Sequence, residues 1–445
     1  MTDLLSASAL LASARRRVAI ALIPIAALWL GVLWASVGGR APQSETAAPA
    51  APAALERVAL SGQASPAGGS FDRFDLGSEA IPAPANSRGE VSFFATLLRG
   101  QGEEGLFLAG KDGVAKIAAV GDKVPGGESI AGFGDHPAPT LNEAGSVAFT
   151  AALTGGKAQS GVFRVDKGRI TALALSGAAA PDLPGGTLAE FEPPALNDRG
   201  HVAFLAEFRR GRELEQAIYV HRGDRLKKLI AAGDPAPGGG VFSSFGNPAI
   251  NNRGDVAFAA IMEQGPNLGG VFLSSDNELR LVLAVGAPAP TGGIFARFSE
   301  RLALNDAGTI ALSAVLRQAG PSAAIFTIEN DTARAVATVG DGVPGGGTIA
   351  ALASWPVLSQ SGAVAFIASV DGGPNGLGVY LAGAGEPKRV IATGDALPDG
   401  SRLAGFPLYP AIAIGGKDTV TFAATAERDG VRTDALFDYG PPRRR

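Results

Sequence analysis

Residues 197–204 read Asn-Asp-Arg-Gly-His-Val-Ala-Phe, and this Asn-x-x-Gly-x-Val-x-Phe pattern recurs along the chain every 54 to 56 residues. Five copies begin with asparagine, the sixth begins with serine, and the seventh keeps only its valine and phenylalanine. The copies start, in order, at Asn86, Asn142, Asn197, Asn251, Asn305 and Ser359, and the seventh is marked by Val420 and Phe422. A regular repeat of this length predicts an array of like structural units.

Each unit reads as four short strands. In the third unit they are Pro-Pro-Ala-Leu before Asn197, then residues 202–206, 217–220 and 226–230, rich in branched or aromatic residues and bounded by turn formers. Four strands repeated at this spacing are typical of a β-propeller blade. We therefore predict an all-β, seven-bladed β-propeller over residues 57–440.

The two ends of the repeat region predict how the ring closes. Residues 57–62 have the fourth-strand pattern with no blade before them, and residues 435–439 have the third-strand pattern with no fourth strand after them. Pairing the two completes the seventh blade and removes an unpaired sheet edge. We expect the N-terminal strand to close the propeller.

The repeated polar residues have structural explanations. Asparagine opens a type I turn and bonds to backbone two residues on, while glycine accepts a positive φ at the fourth position. The valine and phenylalanine share one strand face and are expected in the core. For the Asn-x-x-Gly turn the alternative is a calcium or ligand role. Four aspartates that follow the fourth strand are interpreted as loop-capping carboxylates, with calcium coordination as the alternative. They are Asp122, Asp234, Asp341 and Asp395.

The N-terminal region predicts a membrane anchor. Residues 18–39 carry no charge and follow Arg15, Arg16 and Arg17, so they are long enough to span a bilayer with residues 1–17 in the cytoplasm. A cleaved signal peptide is the alternative. Residues 40–56 form an Ala/Pro-rich linker and residues 441–445 a basic tail. We expect a single-pass protein of the bacterial inner membrane, with the propeller on the periplasmic or extracellular side.

Composition excludes several kinds of function. The chain has no cysteine, so it has no disulfide and no thiolate nucleophile, and its three histidines, His136, His201 and His221, are scattered. We predict no metal and no cofactor, and interpret these histidines as ordinary surface residues. A net charge of −4 gives no reason to expect a nucleic-acid partner. Residues 100–105 match Gly-x-Gly-x-x-Gly, but no helix follows, so a dinucleotide site is excluded. No catalytic residues are predicted.

Two regions are candidates for ligand binding. Asn247, Arg301, Trp355 and Tyr409 occupy similar positions ahead of the innermost strand in four successive repeats, and we expect them to converge at the mouth of the central channel. Arg209 and Arg212 belong to a charged loop, residues 208–216, on the face where the repeats differ most. Packing between blades, for Trp355, and solvated loop tips are the alternatives.

Residues 142–149, 197–204 and 251–258 fit Asn-x-x-Gly-x-x-Ala-Phe in full. The chain thereby resembles the bacterial exported tandem-repeat proteins named for that core, over residues 57–440. The resemblance implies a propeller-like fold and no particular activity. We predict a membrane-anchored binding or scaffold module for an envelope protein, peptide or glycan. The alternatives are a propeller hydrolase or lyase acting on a polysaccharide or lactone, and a structural element without a ligand.

Overall fold

Strands make up nearly all of the regular structure. The computed structural model describes residues 55–74, 84–100, 102–134, 137–276, 278–353, 355–383, 387–406 and 412–440, which lie in one compact unit. A single 3-10 turn, Gly416–Asp418, is the one helical element of these residues. The expected anchor, residues 18–39, and the basic tail, residues 441–445, lie outside them. No helix in the described part of the chain is long and apolar enough to span a membrane.

The strands fall into seven sheets, which are the seven predicted blades. The first seventeen are β1 (Leu55–Leu60), β2 (Ser70–Phe71), β3 (Val91–Leu98), β4 (Glu104–Gly110), β5 (Gly113–Ala119), β6 (Ser129–Gly132), β7 (Thr140–Leu141), β8 (Val147–Thr154), β9 (Ser160–Asp166), β10 (Arg169–Leu175), β11 (Gly186–Phe191), β12 (Ala195–Leu196), β13 (Val202–Arg210), β14 (Glu213–Arg222), β15 (Arg225–Ala231), β16 (Val241–Phe245) and β17 (Ala249–Ile250). The others are β18 (Val256–Glu263), β19 (Gly269–Ser275), β20 (Glu278–Ala284), β21 (Ile294–Phe298), β22 (Ala303–Leu304), β23 (Ile310–Arg317), β24 (Ala323–Glu329), β25 (Thr332–Thr338), β26 (Thr348–Leu352), β27 (Val357–Leu358), β28 (Val364–Asp371), β29 (Leu377–Ala382), β30 (Lys388–Ala392), β31 (Arg402–Gly405), β32 (Ile412–Ile414), β33 (Val420–Arg428) and β34 (Val431–Tyr439).

Six blades follow one another in chain order, and the seventh joins the two ends of the described chain. Blade one holds β2–β5, blade two β6–β10, blade three β11–β15, blade four β16–β20, blade five β21–β25 and blade six β26–β30. Blade seven holds β31–β34 together with β1. Strand β1 runs antiparallel to β34, with Leu55 opposite Tyr439 and Leu60 opposite Ala435. The predicted closure by the N-terminal strand is confirmed, and the strand begins two residues before position 57.

The hydrophobic core is divided into seven clusters, each lying at the seam between two adjacent blades. In blade three, Val202 and Phe204 pack with Val162 of blade two, while Ala203 and Leu205 pack on blade four. Alternate residues of the second strand therefore face opposite neighbours, as the period of a strand requires. The predicted core role of the repeated valine and phenylalanine is confirmed.

The innermost strand differs from the expectation. In blades two to seven it consists of two pieces that pair with the same second strand; in blade four, β16 and β17 both pair with β18. The sequence predicted only the second piece. The residues between the two pieces form a break in the wall of the central channel, and the candidate residues Asn247, Arg301 and Trp355 lie in these breaks.

The Asn-x-x-Gly turn, here called the Asn turn, joins the innermost strand to the second strand. The Asn197 carbonyl oxygen Oδ1 accepts hydrogen bonds from the backbone N–H of Arg199 (3.1 Å) and His201 (2.9 Å), as predicted. Gly200 takes φ +75°. The asparagine also does something that its motif does not reveal, since its Nδ2 donates to the backbone oxygen of Asn251 in the next blade, at 2.8 Å.

The same inter-blade bond recurs from Asn86 through Asn305, each asparagine donating to the first residue of the next turn. A second series runs beside it, in which the next backbone N–H donates to a side chain of the following blade. The asparagines are at most 4% exposed. Satisfied buried amides of this kind stabilise both the turn and the seam.

The aspartates after the fourth strand act as predicted caps. The Asp234 carboxylate accepts the backbone N–H of Ala231 at 2.9 Å, and the other three bond in the same way three residues back. These bonds account for the recurrence of aspartate in the loop. The loop-capping interpretation is therefore confirmed.

Candidate functional site

The breaks of the innermost strands bring together residues that are more than fifty positions apart in sequence. Asn247 of blade four forms a parallel bridge with Arg301 of blade five. Gly246 makes this approach possible, because a Cβ at that position would lie 2.3 Å from the carbonyl oxygen of Glu300. Side-chain packing at the seam therefore gives way to direct backbone contact at this point of the channel wall.

Arg301 continues the contact into blade six. Its guanidinium carbon lies 5.2 Å from the ring centroid of Trp355, a cation–π distance. Both side chains are half-buried. Burial lowers the pKa of Arg301, and the negative charge of Glu192 in blade three opposes that shift. Ser313 of blade five also holds the backbone near Trp355, since its hydroxyl donates to the carbonyl oxygen of Ala353 in blade six at 3.1 Å.

An acidic group lies on blade three. Glu190 in β11 is directly opposite Glu207 in β13, and directly opposite residues have Cβ atoms about 5 Å apart. Burial, followed by the charges of Glu190 and Glu192, raises the pKa of Glu207 to about 7. A hydrogen bond with Gln216 opposes the shift, and Gln216 also accepts the Phe245 N–H of blade four at 3.1 Å. Glu207 is consequently a carboxyl group that can hold or release a proton near neutral pH.

These acidic residues were missed by the sequence interpretation, although a signal for them exists. In every blade an aromatic residue or leucine stands at or just after the end of the first piece of the innermost strand. The residue before it varies. In blades one, three and five that residue is charged, whereas in the other blades it is glycine, serine or alanine: Arg73, Glu190 and Arg297 against Gly132, Ser244, Ala351 and Gly405. Alignment of the repeats at this position would have singled out Glu190, but not its register opposite Glu207.

The structure brings three of the six candidate residues together. Asn247, Arg301 and Trp355 form one continuous contact, each lying in a break just ahead of the second piece of its innermost strand. Tyr409 lies outside the described residues. Arg209 is not in a loop as expected but in β13, opposite Thr187, and Arg212 is in the turn between β13 and β14. Both are exposed, and about five strand residues, or roughly 16 Å, separate Arg209 from the break.

The described residues of the breaks therefore carry both signs of charge and an aromatic platform, and Glu207, whose pKa is raised, lies on the second strand of blade three. Such a set can hold a polar ligand through charge-assisted hydrogen bonds and stacking. Among the described residues, no three acidic or histidine side chains converge closely enough to hold a metal ion.

Three of the solved structures that this chain resembles are distant in sequence. An oligogalacturonate lyase in complex with manganese is 11% identical, with a TM-score of 0.48 over 88% of this chain and 98% of that one. Polysaccharide lyase Uly1 is 8% identical, with a TM-score of 0.43 over 86% and 97%. Trypanosoma rangeli sialidase is 11% identical, with a TM-score of 0.36 over 87% of this chain and 60% of that one. These values carry no information about activity.

Comparison with curated proteins gives no significant match. A family model matches nearly the whole repeat region, in two overlapping parts, residues 40–325 and 304–437. The resemblance to the exported Asn-x-x-Gly-x-x-Ala-Phe proteins is not confirmed by this match and stays a prediction. The chain belongs to DUF7453, a family of unknown function.

Proposed function

We propose that the protein is a binding module whose central channel receives a glycan or peptide of the bacterial envelope. The observation that carries this proposal is the contact of Asn247, Arg301 and Trp355 in the channel wall. Trp355 offers an apolar ring, while amide and guanidinium groups beside it orient a polar ligand. Glu192, whose charge acts on Arg301, provides an acceptor for ligand hydroxyl or amine groups.

We further propose that residues 18–39 anchor the protein in the inner membrane and that residues 40–56 hold the propeller away from it. The register of the closing strand supports one orientation. Leu55 lies opposite Tyr439, and Tyr439 lies opposite Val420, so the closing strand begins at the end of the propeller that carries the Asn turns. A linker attached there leaves the opposite end, with Arg209 and Arg212, free to meet a partner in the envelope.

Binding by the purified full-length chain to panels of envelope glycans and peptides tests the channel proposal. Arg301→Gln should weaken binding of a channel ligand at least tenfold, because it removes the charge and the stacking on Trp355. The double variant Arg209→Ala/Arg212→Ala reports on the opposite end, and the exposed Arg225→Ala is the matched control. If Arg301→Gln and the double variant both bind with wild-type affinity, neither the channel nor the end that carries Arg209 and Arg212 is the binding site.

An enzyme is the second candidate, and the raised pKa of Glu207 favours it. A carboxyl that titrates near pH 7 beside another carboxylate is suited to general acid or base work on a polysaccharide or lactone. Incubation with polysaccharides and lactones, followed by assay for new reducing ends, unsaturated products or released acid, tests this. Turnover that Glu207→Gln abolishes would support it, and absence of any product across the panel would exclude it.

A further inference from the structure

The Asn turn of blade three lacks a carboxylate that two related turns contain. Blade one reads Asn86-Ser-Arg-Gly-Glu90 and blade four Asn251-Asn-Arg-Gly-Asp255, whereas blade three reads Asn197-Asp-Arg-Gly-His201. All three have arginine at the third position. Only blade three has histidine where the other two have an acid.

In the related turns the carboxylate neutralises the arginine. Arg253 Nε donates to the Asp255 carboxylate at 2.8 Å, and Asn251 Nδ2 donates to it at 2.9 Å. Arg88 and Asn86 make the same two bonds to Glu90. By contrast, the Arg199 guanidinium has no hydrogen bond or ion pair within the described part of the chain. Blade three therefore presents the arginine without its anion.

Further positive charge surrounds this turn. Arg164 of blade two donates to the carbonyl oxygen of Gly200 at 2.6 Å. Arg222 of β14 is opposite His201 in the extended register of Val202 and His221, and its guanidinium donates to the carbonyl oxygen of Gly254 in blade four at 2.9 Å. The charges of Arg164, Arg199 and Arg222 all act on His201, and after burial they lower its pKa. Three guanidinium groups therefore lie close enough to His201 for their charges to act on it.

His221 lies opposite Val202, next to His201, and is not the surface residue expected from sequence. It is 8% exposed, in a position where blades one, two and five have alanine, valine and isoleucine. Its Nδ1 and that of His201 are buried and have no hydrogen-bond partner. Buried polar atoms without partners are uncommon in folded proteins, and these two belong to side chains that interact electrostatically with each other.

Nearby carboxylates do not pair with Arg199 in the way that Glu90 and Asp255 pair with their arginines. Asp166 is paired with Arg164 at 2.7 Å. The Asp198 carboxylate accepts the Glu143 N–H and the Asn252 amide. Asp224 acts on His221 only through its charge. None of these carboxylates forms a hydrogen bond or ion pair with Arg199 in the described part of the chain, so its guanidinium keeps its hydrogen-bond donors.

We propose that the blade-three Asn turn binds a phosphoryl group, held by Arg199 and His201, with Arg164, Arg222 and His221 behind them. A doubly charged oxyanion supplies the charge that Glu90 and Asp255 supply in their turns, and planar guanidinium groups match its oxygens. The turn lies at the end of the propeller where the closing strand begins. The phosphoryl group comes from a free phosphate or from a phospholipid headgroup, and the second source rests on the proposed membrane anchor.

Calorimetric titration of the full-length chain, in phosphate-free buffer and a non-ionic detergent, tests the proposal. The probes are inorganic phosphate and a short-chain phosphatidic acid below its micelle-forming concentration. His201→Asp gives blade three the arginine and aspartate of blade four, so it should fold and weaken binding of either probe at least tenfold. Ser146→Asp, which adds the same carboxylate at the same turn position of blade two, should change affinity less than twofold.

The two probes separate the sources. Tighter binding of phosphatidic acid supports a headgroup, and equal or tighter binding of inorganic phosphate supports a free ligand. The proposal is overturned if neither probe binds the wild-type chain, or if a folded His201→Asp variant, confirmed by circular dichroism, binds as tightly as the wild type.

Discussion

The two ends of the propeller are built on different principles. At the end with the Asn turns, blade after blade repeats the same bonds, from Asn86 to Asn305. At the opposite end, here called the hairpin end, the second and third strands join through turns that differ in length and charge. The described residues expose four large hydrophobic side chains, and all four are at the hairpin end: Leu98, Leu214, Leu268 and Val431.

Residues of the Asn-turn end hold adjacent blades together, whereas residues of the hairpin end are free to vary. Asn197 is buried, bonds within its own turn and bonds to the next blade, so a change there disturbs two blades. Arg212 is exposed in a turn between two paired strands, so a change there disturbs neither. Stability should therefore depend mainly on the Asn-turn end, and specificity for an envelope glycan or peptide on the channel and the hairpin end. The proposed phosphoryl site of blade three is the one binding role assigned to the Asn-turn end.

The largest expected effect comes from breaking the inter-blade bonds. Asn197→Ala removes two accepted bonds and one donated bond. It leaves the buried Asn251 carbonyl oxygen and two partly buried N–H groups without these partners, which should cost about 3 kcal/mol of unfolding free energy. Urea denaturation followed by circular dichroism measures the change. Arg212→Ala is the control at the hairpin end and should stay within about 0.5 kcal/mol. Similar losses in the two variants would contradict the proposed difference between the ends.

Much of the fold was predictable because the repeated motifs recur at a regular spacing along the chain. The spacing of the Asn turns fixed the number of blades, and the unmatched strand patterns at 57–62 and 435–439 fixed the closure. The inter-blade bonds of Asn197 were not predictable from its motif, because a turn signature describes local backbone only. The break of the inner strand was missed for a related reason, since its residues vary in number and kind between blades.

The candidate site was predictable only in part. Trp355 and Arg301 stood out because unusual residues occupied equivalent positions, and they do meet. Glu190 and Glu207 are ordinary glutamates in sequence. A register shift between Leu188 and Glu190 places them opposite each other, and the raised pKa follows from that contact and from burial. Their environment depends on strand register, which the sequence alone does not define.

A medium effect is expected at Glu207, between the two ends. Its pKa is raised from 4.5 to about 7, so the folded state keeps a proton that the unfolded state loses across this range. The stabilisation is complete below pH 4.5 and is lost as pH rises through 7. Glu207→Gln should abolish this dependence and increase stability at pH 8 by about 2 kcal/mol, after allowance for partial solvent screening.

Urea denaturation of both chains at pH 5 and pH 8 measures the effect. Glu213→Gln, at the exposed start of β14, is the matched control and should leave the pH dependence unchanged. A wild-type chain whose stability did not fall between pH 5 and pH 8 relative to Glu207→Gln would show that the carboxyl is ionised at no cost.

The smallest effect concerns two glycines of the Asn turns that share a conformation but not a neighbour. Gly308 and Gly362 have φ of +88° and +89°. A Cβ at Gly308 would lie 2.9 Å from Arg253 Nη2, whereas a Cβ at Gly362 would meet nothing within 4 Å. Gly362→Ala should therefore cost about 1 kcal/mol, from backbone strain alone.

Gly308→Ala should cost more than Gly362→Ala by about 0.5 kcal/mol, because the Arg253 guanidinium must move away from a position that Asp255 holds at 2.8 Å. Adding Arg253→Ala to each glycine variant completes a double-mutant cycle. The extra cost at Gly308 should disappear in the Arg253→Ala background, while the cost at Gly362 should stay the same. Equal costs in the original background would mean that the turn glycines serve backbone conformation only, and that the arginines of the preceding blades adapt without loss.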